Sequence, residues 1–319
     1  VDKPEVYPLR VFGAAVVAVQ DLSPHFRRLT FAGPDLAAFG VPGPRLDLRI
    51  KLLLPVPGHP LLPLGGPAGE LNAGWYQEWL GREQPGRGVI RSYTVRALRR
   101  ASSGPGERAA GREGAELDVD FVVHPTREGV SAPASDWARA AVPGTPIVII
   151  GPNLDDITAD TPPAYTGIRW DPQGAGRVLL AGDETAVSAI ASILADLPPA
   201  VTGHAFLEVP EAHDVGTLTT ASSVQVSWLP RNPLGAARGE LLVRAVNTAV
   251  ESAEPPYPPQ TYAWVGAEAG TVKSLRRHLV SQLGLDPRRS EFRGYWSLGK
   301  AGSGVNGTPV APAASELFH

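Results

Sequence analysis

Arg91, Tyr93, Thr94 and Arg96 fall within six residues of one another, in the run VIRSYTVRAL at 89–98 that otherwise has the composition of a β-strand. A strand that only packs does not need two guanidinium groups, an aromatic ring and a hydroxyl. An arginine fork suits a phosphate. Tyr93 offers a flat ring for stacking, and Thr94 a hydroxyl and backbone groups. Strand alternation places Arg91, Tyr93 and Val95 on one face and Ser92, Thr94 and Arg96 on the other. At a sheet rim both faces can meet one ligand; a barrel strand with solvated arginines is the competing reading.

A second cluster follows at 120–144, DFVVHPTREGVSAPASDWARAAVPG. It reads as strand, loop and helix. Pro133 suits the first helical turn and Ser131 or Ser135 can cap it. A helix start among small residues presents free N–H groups to an anion. An arginine on one strand and a helix start after another can hold a pyrophosphate between them, with His124 as a ring contact and not as a base.

These residues need a scaffold. The first half contains successive strand patterns, among them RVFGAAVVAVQDLSPHFRRLTFAG, RLDLRIKLLLP and AELDVDFVVHP, with no helix between most of them, which predicts an antiparallel sandwich or barrel. Turn-rich loops interrupt it at 55–74 and 99–115. The second half alternates strand and helix: GRVLLAGDETAVSAIASILADLP, HAFLEVP, VQVSWLP, GELLVRAVNTAV, TYAWVGAEAGTVKSLRRHLVSQLGLD and SEFRGYWSLG. Val187, Ile190, Ile193 and Leu194 recur at helical spacing. This predicts a parallel sheet with helices on its faces. The expected division is a barrel domain at 1–152, a Pro- and Gly-rich linker at 153–175, an α/β domain at 176–300 and a loose tail at 301–319.

With 319 residues, two domains are the first expectation. Net charge of −3 leaves no broad basic footprint for nucleic acid. No apolar run approaches the ~20 residues of a membrane span, and VDKPEVYPLR has no long apolar stretch behind a basic start, so no signal peptide is expected. Cysteine is absent, which removes disulfides, thiolate metal sites and cysteine nucleophiles and fits a cytoplasmic protein. No nucleophile–base pair and no dense His/carboxylate cluster stand out, so neither catalytic side chains nor a protein-bound metal are expected.

RSYTVR, DFVVHPTREGVSAPASDWA, GDETAVSAI and GYWSLG, in that order between about Val11 and Lys300, resemble the siderophore-interacting FAD-binding proteins, which include ferric-siderophore reductases and belong to the wider ferredoxin–NADP reductase superfamily. The resemblance implies an N-terminal antiparallel six-stranded FAD-binding barrel, then a parallel-sheet domain of nucleotide-binding type. It implies non-covalent FAD against Arg91, Ser92, Tyr93, Thr94 and Arg96. Ser92 stands where the family usually has threonine. His124, Ser131, Ala134 and Ser135 match the flavin and pyrophosphate contacts, and Asp183, Thr185 and Ala186 a turn near the adenine end. Read as a structural element only, GDETA is a helix-starting turn capped by Asp183 or Thr185.

Such a protein passes electrons through FAD to an Fe(III)-siderophore, with NADH, NADPH or reduced ferredoxin as donor. No G-x-G-x-x-G follows the first strand of the second half, where it would cradle a dinucleotide. Glu208, at a strand end, suits a ribose hydroxyl and tilts the donor to NADH; Arg231 argues the reverse. Ferric siderophores are commonly anionic, so Lys51, Arg127 and Lys300 are the expected basic rim. Tyr295 and Trp296 either cover the ligand site or finish the core. A monomer is expected. A general NAD(P)H:flavin-type oxidoreductase and a non-catalytic siderophore-binding flavoprotein are the alternatives.

Overall fold

The computed structural model describes residues 7–100, 115–124, 132–253, 257–258 and 260–298. The described residues divide into two compact units: one within 7–21 and 26–168, the other within 22–25 and 169–298. Among the described residues no helix is long and apolar enough to cross a membrane.

The first unit is built on seven strands: β1 (Leu9–Ser23), β2 (Phe26–Gly33), β3 (Arg49–Leu54), β4 (Val89–Thr94), β5 (Ala97–Arg100), β6 (Ala115–Val122) and β7 (Pro146–Pro152). Their order is β4-β3-β7-β1-β2-β6-β5. The two edge strands, β4 and β5, are consecutive in sequence and joined by only Val95 and Arg96, so the sheet must roll until its edges meet. Val95 N–H donates to Leu48 on the β3 side at 2.8 Å, and Arg96 N–H donates to Asp118 on β6, also at 2.8 Å. The expected antiparallel barrel is present. The difference from six strands is this break, where one strand changes partners at Val95–Arg96.

All six residues of β3 are buried. Ile50, Leu52 and Leu54 face the barrel core with Phe12, Phe31, Val119, Phe121 and Ile149. Leu53 points outward, under the short helix α1 (Trp75–Leu80), with Trp75, Trp79, Ile90 and Ile150. The i, i+4 tryptophans put both indoles on one side of α1. Burying each such side chain contributes about 1.5–3 kcal/mol. A strand covered on both faces explains why RIKLLLP stops alternating. A second helix, α2 (Pro133–Ala140), packs Trp137 against Phe31 and Phe121.

The second unit holds a five-stranded parallel sheet: β8 (Arg177–Gly182), β9 (Thr202–Val209), β10 (Ser223–Pro230), β11 (Tyr262–Glu268) and β12 (Ser290–Trp296), in the order β10-β9-β8-β11-β12. Helices α4 (Glu240–Glu251) and α5 (Ala269–Arg276) bury Leu242, Val246, Val272 and Leu275 on one face. Helix α3 (Val187–Asp196) links β8 to β9 in the opposite direction and takes the other face. The sheet order reverses between β8 and β11. In open α/β sheets ligands sit at the carboxyl ends of strands beside such a reversal.

Candidate functional site

In unit one, β4 pairs with β3 so that Arg91 lies opposite Leu52, Ser92 opposite Lys51, Tyr93 opposite Ile50 and Thr94 opposite Arg49. Paired residues share a face, so Arg91 and Tyr93 stand on the core side and Ser92 and Thr94 on the outer side. Tyr93 packs on Phe121, ring centroids 4.3 Å apart, and burial pushes its phenol well above the usual range. Arg91 is half-buried, its Nη1 donating to the Ile90 carbonyl, and burial lowers its pKa. Val95 and Arg96 do not continue the alternation, because they form the edge-to-edge connection. Burial lowers the Arg96 pKa as well. Its Nε approaches Asp120 only to 3.9 Å, and both Asp120 oxygens bond Arg28 at 2.6 and 2.9 Å.

Helix α2 is fixed to the end of β6. His124 N–H donates to Ser135 Oγ at 3.0 Å, and Arg139 donates to the His124 carbonyl. Pro133 begins the helix as expected, but Ser135 does not cap it: its hydroxyl serves His124. The N-cap residue of α2, Ala132, has no side chain that can cap it, and Asp136 in the first turn accepts from Ala132 N–H at 3.4 Å. Ala134 is half-buried in the same first turn. The ring of Tyr93, the guanidinium of Arg96 and the start of α2 are groups of the types that the ring system and pyrophosphate of FAD take. Tyr93 and α2 are tied together through Phe121, which touches Tyr93 on one side and Trp137, at 5.8 Å, on the other.

Of the three expected basic residues, Lys51 alone is described, and it is not a surface cation. It is 6% exposed. Its Nζ is 3.4 Å from Ser92 Oγ and 6.0 Å from the Tyr76 ring centroid. Burial, with Arg49 adding like-charge repulsion, brings its pKa down to about 7. Arg127, Ser131 and Lys300 lie outside the described residues, as does the tail at 301–319.

In unit two the carboxyl ends of the strands carry the remaining candidates. Asp183 is buried; it accepts from Thr185 N–H (2.9 Å) and Oγ (2.5 Å), Glu268 N–H (2.8 Å) and Trp296 Nε1 (2.9 Å). Burial and the neighbouring Glu184 push it up to about 6. Asp183 and Thr185 thus serve each other, Ala186 is fully buried, and the Asp183 and Ala186 N–H groups donate to the Gly266 and Asp183 carbonyls. Trp296 is pinned by its indole N–H, with the Arg238 guanidinium 5.1 Å from its ring centroid.

Glu208 is corrected as a ribose ligand. It is fully buried and accepts from Gly239 N–H (2.7 Å) and Leu242 N–H (3.0 Å) at the start of α4. Arg231 is equally committed, in a bidentate pair with Glu184 at 2.8 Å on both branches. Both side chains are taken by partners within the unit. Sequence reasoning missed Arg238 and Glu268. Arg238 bonds Glu184 at 2.5 Å, and both line a groove of about 550 Å³ with Gly239, Arg244, Thr271 and Ser274. Gly239 has φ +79, and a Cβ there would stand 2.1 Å from Thr271 Oγ1, so only glycine lets the α4 start approach α5 this closely.

A closed antiparallel sheet followed by a five-stranded parallel one is also the fold of the ferredoxin reductase in carbazole 1,9a-dioxygenase, which matches with a TM-score of 0.53 at 15% identity, over 91% of this chain and 70% of that one. The siderophore-interacting FAD-binding domain matches residues 15–156 and the siderophore-interacting protein model residues 175–299, and the chain belongs to this siderophore-interacting family. A siderophore utilization protein from T. fusca superposes with a TM-score of 0.67 at 30% identity, covering 93% of this chain and 96% of that one. The ferric vibriobactin reductase ViuB of Vibrio cholerae is 28% identical over 88% of this chain and 86% of its own length.

Proposed function

We propose that this chain is an FAD-dependent ferric-siderophore reductase of the cytoplasm. The observation that supports it most directly is the tie of Tyr93 to helix α2 through Phe121 in unit one. Tyr93 and Thr94 orient the ring system, and Arg96 with the α2 backbone at Ala134 and Ser135 holds the pyrophosphate. Arg91 and His124 flank the ring, while Asp183, Thr185 and Ala186 shape the turn near the adenine. Arg127 and Lys300 supply positive charge for an anionic chelate, whereas Lys51, expected with them, is buried.

Bound FAD supplies one-electron chemistry, one electron for each Fe(III) taken to Fe(II). The chain's residues bind and orient, and no acid or base of the protein is needed for that step. Fe(II) holds hard oxygen ligands more weakly, so reduction favours release from the chelate. Two electrons per NAD(P)H, or one per reduced ferredoxin, replenish the site. The role of ViuB as a ferric vibriobactin reductase supports this reading. A siderophore-binding flavoprotein without turnover is the second reading, favoured by the carboxylates that fill the edge of unit two.

Purified protein is expected to carry or take up FAD. Anaerobically it should be reduced by NADH, NADPH or reduced ferredoxin, then reoxidised by a ferric chelate with Fe(II) collected by a ferrous trap. Reduction without reoxidation by any ferric chelate leaves the flavoprotein reading in place of the reductase. Inability to bind FAD removes both.

A further inference from the structure

Three strand ends on the ligand edge of unit two present a carboxylate, and each carboxylate fills a helix start. Asp183, after β8, takes Thr185 N–H in the turn leading into α3. Glu208, in β9, takes Gly239 and Leu242 N–H at α4. Glu268, closing β11, takes Gly270 N–H at 2.6 Å and Thr271 N–H at 3.1 Å with one oxygen, and Leu298 N–H at 3.2 Å with the other. A Cβ on Gly270 would stand 2.8 Å from that carboxylate, so the glycine permits the cap. Helix starts attract one negative group through free N–H donors and the helix dipole. Here the chain's own side chains already provide it. In unit one no strand-end carboxylate is recorded at the α2 start, where Asp136 of the helix's own first turn accepts from Ala132 N–H at 3.4 Å.

Asp183 and Glu208 are buried, but Glu268 is half-buried and lines the groove between α4 and α5. We propose that Glu268 is a specificity-determining residue of this unit: its carboxylate holds the α5 start and keeps phosphate groups out of the groove, so an electron donor is not gripped there by its pyrophosphate. This rests on the reading that unit two receives the donor. The charge on Glu268 repels a phosphate at the place where a dinucleotide fold would attract one. The groove cations Arg238 and Arg244 then act without help from the helix.

The test is calorimetric titration of FAD-loaded wild type, Glu268→Ser, Glu268→Gln and the remote control Glu251→Gln with inorganic pyrophosphate, NADH and NADPH. Both Glu268 variants should bind pyrophosphate about tenfold tighter than wild type, and the dinucleotides should shift the same way. Glu251→Gln removes the same charge at the far end of α4 and should stay within about twofold of wild type. The glutamine variant keeps an oxygen for Gly270 and Thr271 N–H, so a melting scan close to wild type separates loss of charge from loss of the cap. Pyrophosphate affinity unchanged in both Glu268 variants overturns the proposal, as does an equal gain in Glu251→Gln. If the variants gain pyrophosphate affinity but no dinucleotide reduces FAD in any form, the exclusion stands and the dinucleotide-donor reading falls.

Discussion

Tyr93 of β4 lies against Phe121 of β6, ring centroids 4.3 Å apart and planes inclined at 42°. The two strands are not sheet neighbours in the order that runs from β4 to β5. Their side chains meet because the barrel closes at Val95–Arg96. Tyr93→Phe keeps the ring and should leave FAD affinity within about threefold, since one hydroxyl contact is at stake. Tyr93→Ala removes the ring from both the core and the cofactor site. It should lower stability by about 3 kcal/mol and FAD affinity by about tenfold or more. Urea unfolding of the apoprotein and FAD titration by fluorescence quenching separate the two effects.

Arg96 and Arg99 are three residues apart and differ in what holds them. Arg99 forms a bidentate pair with Asp118 at 2.6 and 2.7 Å and reaches Glu116 at 3.3 Å, while Arg96 has Asp120 at 3.9 Å. Arg96→Ala should weaken FAD retention about tenfold or more, because a charge-assisted phosphate contact is lost. Arg99→Ala should leave retention near wild type. FAD remaining after gel filtration is the measurement, and equal retention by both variants counts against Arg96 as the phosphate ligand.

Much of the fold was legible because burial leaves local patterns. RLDLRIKLLLP alternates and then turns continuously apolar, which marks β3, and Val187, Ile190, Ile193 and Leu194 mark α3. The candidate ring and phosphate residues were legible as types that packing alone does not call for. What the sequence hides is pairing at a distance. Glu208 looks like a ligand at a strand end until α4, 31 residues on, brings Gly239 N–H to it. The break after Thr94 depends on Leu48 and Asp118, which no local pattern connects to Val95 and Arg96. Lys51 looks like a rim cation because a strand's outer face is usually wet, and here it is covered.

Lys51 gives a pH signature. Its folded pKa of about 7 lies below its ordinary 10.5, so between those values the unfolded chain binds more protons than the folded one. Stability therefore rises as pH increases through this window, and below about 7 Lys51 destabilises the fold fully. Among the described residues Arg49 is the charged neighbour that adds to burial, with Ser92 and Tyr76 as its polar and aromatic contacts. Lys51→Met should raise stability at pH 6 by on the order of 2–5 kcal/mol, and the gain should shrink toward pH 10. Urea midpoints for both proteins across that range test it; a gain independent of pH would mean that packing, not charge, is responsible.

The buried pair Arg231–Glu184 tests how the edge of unit two is held. Burial pushes the Glu184 carboxyl up, but Arg231 and Arg238 outweigh it and hold the group below its usual range. Removing one partner leaves the other charged and buried, which generally costs about 3–5 kcal/mol. The two sides are unequal here. After Arg231→Met, Glu184 keeps only the half-exposed Arg238, so a loss of about 3 kcal/mol is expected. After Glu184→Gln, Arg231 still has Glu208 at 3.6 Å and an amide oxygen to bond, so the loss should be smaller, about 1–2 kcal/mol. The double variant should be less destabilised than the sum, because neither residue is then left as a buried, unpaired charge. Denaturant unfolding of all four proteins closes the cycle. Simple additivity would mean that the two side chains act separately, and that the clamp from Glu184 through Arg238 to Trp296 does not depend on Arg231.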